Sequence, residues 1–273
     1  MSTINEKIKE SIVNCEPNTF GKIGGFESSH LAYYIQTGKP TLIRGQSLAI
    51  NAGINVSSQD DLKTWCDAYL SAIKNLDYVL EWCPDQGDQF VIEKVWRGKE
   101  KFYSFQDLEP FSHGNKGWHY ALKDKTVLVV SPFKDSIEQQ VKNYSNIWKG
   151  AEIGEVKVIK SPYPPALTGE KDPPSYQRKL NEMKKEILSM EFDFATVGCG
   201  GYSLILLDFI KRLGKPCVHL GGANQILFGI KGKRWDNNPG FTESGWYGTA
   251  DWIRPLPHEI PPNARLVEGA CYW

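Results

Sequence analysis

The sequence lacks an excess of charge of either sign, since its 32 basic residues are balanced by 32 acidic ones. Proteins that bind nucleic acids carry a basic surface, and nothing here predicts one. A long hydrophobic run is also missing: no stretch approaches the ~20 apolar residues that span a bilayer, and the charged amino terminus is unlike a signal peptide. We therefore expect a soluble, cytoplasmic protein with no nucleic-acid partner and no transmembrane segment.

Cysteine pairs of the C-x-x-C type are missing as well. The six cysteines are scattered, which argues against a zinc or dithiol site and predicts reduced, mostly buried thiols. Aromatic residues are abundant and include nine tryptophans. Indole faces cover sugar rings in some proteins and fill cores in others, so this abundance is compatible with either use.

The 273 residues can form one large α/β domain or two smaller ones. The composition changes at about residues 118 to 126, where an irregular segment rich in aromatic and acidic residues precedes the apolar run Thr126–Val130. We therefore divide the chain into residues 1–120 and 121–273, and leave open that both halves form one continuous domain. The irregular segment Trp82–Trp118 is a candidate lid or acceptor-facing insertion.

The stretch Phe194–Trp235 carries the clearest structural signal in the chain. Phe194–Val197 predicts a strand, a glycine turn follows, and Tyr202–Leu213 has apolar residues at helical spacing. A Gly-Lys-Pro sequence ends that helix, and Cys217–Leu220 predicts the next strand, again followed by glycines. Parallel strands joined by a crossover helix are typical of nucleotide-binding folds, so we predict an α/β, Rossmann-like parallel sheet flanked by helices.

Both glycine turns of this stretch are candidates for binding a phosphate. Because glycine has no Cβ, backbone N–H groups can approach an anion at the start of a helix, where the helix dipole favours negative charge. Turns that follow consecutive strands lie at one carboxyl edge of the sheet, where such folds bind ligands. The alternative is that the glycines only allow close packing of helix on strand. The residues concerned are Gly198, Cys199, Gly200, Gly201 and Tyr202 in the first turn, and His219, Gly221, Gly222 and Gln225 around the second.

A third glycine turn, Gly24-Gly25, lies near the amino terminus. It follows the predicted strand Phe20–Ile23 and opens a predicted helix at Ser29–Gln36, which places Glu27 and Ser28 at the mouth of the sheet. A carboxylate there can coordinate a metal, hold a ribose hydroxyl or accept a proton. The alternative is a charge that complements the helix dipole, worth about 0.3 to 1 kcal/mol.

Three further polar residues of the first half are candidates. Arg44 and Asn51 lie in polar turns, where an arginine meets a phosphate or, more commonly, forms a surface salt bridge. The predicted helix Gln59–Asn75 leads to Asp77, which stands directly before the strand that begins at Tyr78. Asp77 is a second candidate base, and the alternative is a turn or capping role.

The second half offers two more polar stretches. The buried-type strand Thr126–Val130 is followed by side chains that either donate to a phosphate or cap the next helix. These are Ser131, Pro132, Phe133 and Ser136. Directly after the second glycine unit, Lys233 and Arg234 alternate with glycine and tryptophan, and they contact a ligand or form a solvated face.

With these residues identified, the chain resembles the GT-D class of glycosyltransferases and related glycan-synthesis proteins of bacteria and large DNA viruses. The matching segments are distributed over most of the chain, and the last is the most specific: Lys22–Glu27, Asn51–Gly53, Leu128–Phe133, Gly198–Tyr202 and His219–Trp235.

The resemblance implies a Rossmann-type, GT-D-like fold that binds a nucleotide sugar, with a UDP-sugar favoured, and a glycan as acceptor. It also implies an early D-x-E motif that holds the donor, often through a divalent metal. Carried over to this chain, the glutamate of that motif falls on Glu27 and its aspartate on Gly25. One carboxylate and a diphosphate supply few ligands for Mn²⁺ or Mg²⁺, so the sequence leaves open whether a metal is required. Arginine and lysine side chains and helix N-termini can neutralise the diphosphate instead.

The resulting hypothesis is a nucleotide-sugar-dependent glycosyltransferase, with Glu27 as first and Asp77 as second candidate for the base. One alternative is a non-catalytic nucleotide- or glycan-binding protein of the same fold. Another is an NAD-dependent enzyme, which is weakened because the third glycine of G-x-G-x-x-G and the acid after the Cys217 strand are both missing. The oligomeric state is not predicted.

Overall fold

The computed structural model of the protein describes residues 2–42, 47–55 and 58–273. Its strands are β1 (Thr19–Lys22), β2 (Tyr78–Leu80), β3 (Glu100–Phe102), β4 (Val127–Ser131), β5 (Val156–Lys160), β6 (Phe194–Val197) and β7 (Cys217–His219). They form one seven-stranded sheet in the order β3-β2-β1-β7-β6-β4-β5, and every pairing is parallel. The α/β, Rossmann-like fold class predicted from the sequence is confirmed.

Helices cover both faces of the sheet. Those in the described ranges are α1 (Ile4–Asn14), α2 (Gly25–Thr37), α3 (Gln59–Asn75), α4 (Asp88–Val95), α5 (Phe105–Leu108), α6 (Lys134–Gln140), α7 (Tyr144–Ile147), α8 (Pro165–Thr168), α9 (Tyr176–Leu188), α10 (Ser203–Arg212), α11 (Ala223–Leu227), α12 (Lys233–Asp236) and α13 (Pro239–Thr242). None of these helices combines the length and the apolar character needed to cross a membrane.

The central strands carry apolar side chains on both faces. β4 and β6 are buried along their whole length, as expected of parallel strands that helices cover on both sides. Alternate side chains enter two separate cores: Val127 and Val129 belong to one, Leu128 and Val130 to the other. The strand ends, rather than the faces of the sheet, are therefore left to form a ligand site.

Two helices of the first half begin at an N-cap residue with an extended backbone. Ser58 caps α3 by accepting the backbone N–H of Asp61 at 3.1 Å. Gly24 is the N-cap of α2, so this helix begins earlier than the predicted start at Ser29. As a result Glu27 lies inside the first helical turn rather than in the loop before it.

The two halves of the chain share the sheet. β1 pairs with β7 through Thr19 and Cys217, so strands from residues 1–120 and 121–273 are neighbours. The irregular segment 82–118 contains α4, β3 and α5, and its Phe111 and Trp118 are buried in one of the two cores. These two rings therefore serve the core and not a lid over the site.

Candidate functional site

A cavity of about 600 Å³ opens at the carboxyl edge of the sheet. Its lining includes residues that end β1, β4 and β7 or lie within two positions after β2, β5 and β6. Open parallel sheets bind ligands at this edge, because the loops after the strands and the starts of the helices converge there. We therefore take this cavity as the candidate site.

Most of the residues predicted around the donor line this cavity. They are Gly24, Gly25, Glu27, Asn51, Ser131, Pro132, Phe133, Gly198, Cys199, Gly200, His219, Gly221, Gly222, Gln225 and Arg234. The predicted residues that are not part of its lining are Ser28, Asp77, Ser136, Gly201, Tyr202 and Lys233. Arg44 lies outside the described residues. The lining also contains side chains that the sequence had not singled out as ligand contacts: Lys22, Trp82, Gln86, Tyr163, Asn224, Glu268, Tyr272 and Trp273.

Glu27 presents a buried carboxylate to the cavity. The residue is 7% exposed, and its carboxylate lies over Gly24, where a Cβ atom would overlap it. Its own backbone N–H donates to it, and the described residues provide no other hydrogen-bond or ion-pair partner. Burial raises the pKa of this carboxyl from 4.5 to about 7, against the smaller opposing effect of the N–H. A carboxylate with this pKa can accept a proton at neutral pH.

Gly25 stands where the D-x-E motif would have its aspartate, and another side chain fills that space. A Cβ atom at Gly25 would overlap the Oε1 atom of Gln86, which lines the cavity. Among the described residues, no group of three acidic, histidine or cysteine side chains close enough to hold a metal includes Glu27. The donor set at this end of the cavity does not fit the metal site that the resemblance implies.

Lys22 brings a cation to the same cavity from the last position of β1. Its Nζ atom lies 4.3 Å from the ring centre of Phe105 and 5.4 Å from that of Trp82. The Trp82 indole is itself held, because its Nε1–H donates to the Ile23 carbonyl at 2.7 Å. Burial lowers the pKa of Lys22 from 10.5 to about 8, and the charge of Glu109 offsets part of this effect. Lys22 is thus an ammonium held against aromatic faces at the wall of the cavity.

His219 faces the cavity as a neutral hydrogen-bond acceptor. Its Nδ1 atom lies 2.9 Å from the carbonyl oxygen of Lys22 on the neighbouring strand. Because a carbonyl oxygen only accepts, Nδ1 carries the proton and Nε2 keeps its lone pair. Burial and the nearby Lys22 ammonium lower the pKa of this imidazole to about 3, so the ring stays uncharged at neutral pH. Nε2 can therefore accept a hydrogen bond from a ligand hydroxyl.

A left-handed backbone explains the glycines at two turns of the cavity, and a close contact adds to it at Gly200. Gly200 has φ of 57°, and a Cβ atom there would lie 2.5 Å from the carbonyl oxygen of Ala52. Gly221 has φ of 60°, and a Cβ atom there would lie 3.5 Å from Cε of Lys22. A left-handed backbone favours glycine at both positions. The turn after β7 is thereby brought against the end of the Lys22 side chain.

Two amide side chains line the cavity with unused acceptors. Nδ2 of Asn224 donates to the Val130 carbonyl at 3.3 Å, and Nε2 of Gln225 donates to the carbonyls of Ile230 and Tyr272 at 3.2 and 3.1 Å. The two amide oxygens are buried and find no donor within the described ranges. Buried polar atoms are normally paired, so these two oxygens are exceptions, and neither has surface accessible from the cavity.

The carboxyl-terminal part of the chain closes one side of the cavity. Arg234 forms an ion pair with Glu268, and its guanidinium lies 4.6 Å from the ring centre of Tyr272. The Trp273 indole donates to the Glu259 carbonyl at 3.0 Å, which fixes its orientation. This wall therefore combines one cation with two aromatic rings.

Asp77, the second predicted base, lies at the opposite edge of the sheet. It precedes β2, at the amino ends of the strands, whereas the cavity is at their carboxyl ends. Its Oδ2 atom accepts from N and Oγ1 of Thr19 at 3.0 Å each, and Lys211 Nζ lies 2.8 Å away. As a correction to the sequence prediction, Asp77 is not part of the site, because its carboxylate ties β1 and α10 together.

Three other predicted residues beside the cavity also serve structural contacts. The Ser28 hydroxyl donates to the Gly25 carbonyl at 3.1 Å within the first turn of α2. The carbonyl of Gly201 accepts the indole N–H of Trp65 at 3.0 Å. Tyr202 is buried and lies outside the cavity lining. These side chains and carbonyls support the turns of the site instead of facing the ligand space.

The predictions that Ser136 and Lys233 contact the donor are also corrected by the structure. Lys233 is exposed on α12, whereas the buried Ser136 donates its hydroxyl to Glu259. The Glu259 carboxylate also accepts the N–H groups of Asp135 and Ser136 at 2.8 and 3.2 Å, so it caps α6. Asp135, His258 and Glu259 bring ligand atoms within 4.8 Å of one another. The carboxylate of Glu259 is already used by these donors, and none of the three residues lines the cavity.

Comparison with known proteins gives no match: no family model matches the chain, and no curated protein or solved structure matches it significantly.

Proposed function

We propose that this protein is a glycosyltransferase that moves a sugar from a nucleoside diphosphate donor to a hydroxyl of a glycan acceptor. The observation that carries the proposal is that one cavity contains the buried carboxylate of Glu27 together with the cations Lys22 and Arg234. A base and anion-binding groups that face the same space are what displacement at an anomeric carbon requires.

The proposed reaction is a single displacement, which inverts the anomeric configuration. Glu27 takes the proton of the acceptor hydroxyl while the acceptor oxygen forms a bond to the anomeric carbon. The bond from that carbon to the β-phosphate oxygen breaks, and its electron pair stays on that oxygen. The nucleoside diphosphate leaves with one more negative charge, which Lys22 and Arg234 stabilise.

The size and chemistry of the cavity support a nucleotide sugar as the ligand. About 600 Å³ is within the range of small-molecule sites. Tyr163, Tyr272 and Trp273 offer ring faces on which a base or a sugar can stack. The resemblance to GT-D proteins favours a UDP-sugar.

The test begins by identifying the donor. Thermal-shift measurements with UDP-, GDP-, dTDP- and CMP-sugars select the ligand that stabilises the protein, because a ligand of the native state raises its stability. Release of the nucleoside diphosphate is then measured with and without glycan acceptors. Glu27→Gln keeps the shape of the side chain and removes the base, so turnover should fall 10²- to 10⁴-fold, on the order expected for a general base. Glu10→Gln, on the exposed face of α1, is the matched control and should keep wild-type turnover.

Undiminished turnover in Glu27→Gln would remove Glu27 from the mechanism. A non-catalytic nucleotide-binding protein is the second candidate, because Gly25 and Gln86 stand where the first acid of the motif belongs. Such a protein would bind a donor without releasing nucleoside diphosphate, whether or not an acceptor is present.

A further inference from the structure

Two cations, Lys22 and Arg234, line the cavity together with the carboxylates of Glu27, Asp85 and Glu268. The space of a first acid beside Gly25 is filled by the Gln86 amide, so Glu27 is the one acid of that motif. Lys22 and Arg234 both line the cavity, and each charge acts on the other, since Arg234 contributes to the lowered pKa of Lys22. Glu268 already pairs with Arg234, so Lys22 is the cation of the two whose charge an anionic ligand would offset.

The position of Lys22 is set by several elements at once. Its ammonium contacts the rings of Phe105 and Trp82, and its Cε atom lies beside the glycine turn at Gly221. Within the described ranges no carboxylate lies within ion-pair distance of it, and the charge of Glu109 offsets only part of its desolvation. A half-buried ammonium at a cavity wall without an ion-pair partner suits a ligand that supplies negative charge.

We propose that the ammonium of Lys22 takes the place of a divalent metal at the donor's diphosphate, so that the protein binds this group through side-chain cations alone. The identity of the ligand as a sugar donor rests on the proposed function, whereas binding of the diphosphate group can be measured separately. In the transfer step, Lys22 faces the β-phosphate oxygen that receives the electron pair of the broken bond. The extra negative charge on the leaving group is then offset without metal coordination.

The direct test uses inorganic pyrophosphate as the probe and calorimetry in the presence of EDTA. Wild-type protein should bind the probe, and Lys22→Met should bind it at least tenfold more weakly because the charge is lost. Lys22→Met removes a desolvated, half-buried charge and keeps a similar apolar stem, so the variant should fold at least as stably as the wild type. Lys9→Met, on the exposed face of α1, is the matched control and should bind like the wild type.

The pH dependence of binding distinguishes Lys22 from a merely structural lysine. The pKa of Lys22 is about 8, so its charge is largely lost by pH 9. Wild-type affinity for pyrophosphate should therefore fall about tenfold relative to Lys22→Arg between pH 7 and pH 9, because arginine keeps its charge. The ratio to Lys22→Arg cancels the ionisation of pyrophosphate itself.

The outcomes separate this inference from the proposed function. Pyrophosphate binding that appears only after Mn²⁺ or Mg²⁺ is added, or that is equal in wild type and Lys22→Met, overturns the role of Lys22 while leaving glycosyl transfer possible. Binding through Lys22 in EDTA, combined with no release of nucleoside diphosphate from any donor, refutes the proposed function and supports the inference.

Discussion

Glu27 and Asp77 are buried carboxylates, 7% and 8% exposed, at opposite edges of one sheet. Asp77 accepts both the amide and the hydroxyl of Thr19 and pairs with Lys211 at the amino edge. Glu27, at the carboxyl edge, has only its own N–H among the described groups, and burial raises its pKa to about 7. The two carboxylates are therefore similarly buried but differ in their hydrogen-bond and ion-pair partners.

The difference between these acids comes from the geometry of a parallel sheet. At the amino edge, Thr19 and Lys211 approach Asp77 from β1 and α10, and a carboxylate there completes a network. At the carboxyl edge the chain turns away through glycines and leaves a cavity, so Glu27 keeps its proton-accepting capacity. A partnered buried charge stabilises the fold, whereas an unpartnered one beside a cavity indicates a site.

Removing the carboxylate of Asp77 should destabilise the fold at every pH near neutrality. Asp77→Ala leaves the Thr19 amide and the Lys211 ammonium without this acceptor, which should lower the free energy of unfolding by about 3 kcal/mol. Urea unfolding at pH 7 measures this loss, and the exposed Asp172→Ala should change it by less than about 0.5 kcal/mol. Unchanged stability in Asp77→Ala, combined with lost turnover, would contradict the structural role given to Asp77.

An effect of similar size, but dependent on pH, is expected for Glu27. The unfolded chain releases the Glu27 proton near pH 4.5, whereas the folded chain holds it to about pH 7. The stabilising contribution of this proton is therefore complete below pH 4.5 and is lost as the pH rises through 7. The stability of Glu27→Gln relative to wild type should rise by up to about 3 kcal/mol between pH 4 and pH 8.

Urea unfolding at both pH values measures this difference between the variants. Glu10→Gln is the matched control, because an exposed carboxyl should give the same difference from wild type at both pH values. If the free energies of unfolding of Glu27→Gln and wild type change in parallel from pH 4 to pH 8, folding does not raise the pKa of the Glu27 carboxyl.

Much of the fold could be predicted because its signals are local. The strand Phe194–Val197 and the helix Gln59–Asn75 have the predicted bounds, since an apolar run between turns and a helical period are both properties of neighbouring residues. The start of α2 was placed too late, because glycines at a helix start read as a turn. The location of Asp77 was available from the sequence, because a residue that precedes a parallel strand lies at the amino edge.

The site was predictable only where glycine turns follow strands. Lys22 lies next to such a turn, but its role depends on contacts with Trp82 and Phe105, which are remote in sequence. Tyr272 and Trp273 return to the cavity from a region without periodicity. No local sequence pattern predicts contacts between residues that are distant in sequence, so these residues were recognised only in the folded chain.

The pH dependence of kcat/KM for donor turnover shows whether Glu27 acts as the base. With Glu27 as the base and its pKa at about 7, the wild-type value should fall about tenfold for each pH unit below 7 and level off above it. The residual activity of Glu27→Gln should lack this acidic limb. A wild-type profile that is flat from pH 5 to pH 7 would contradict the account.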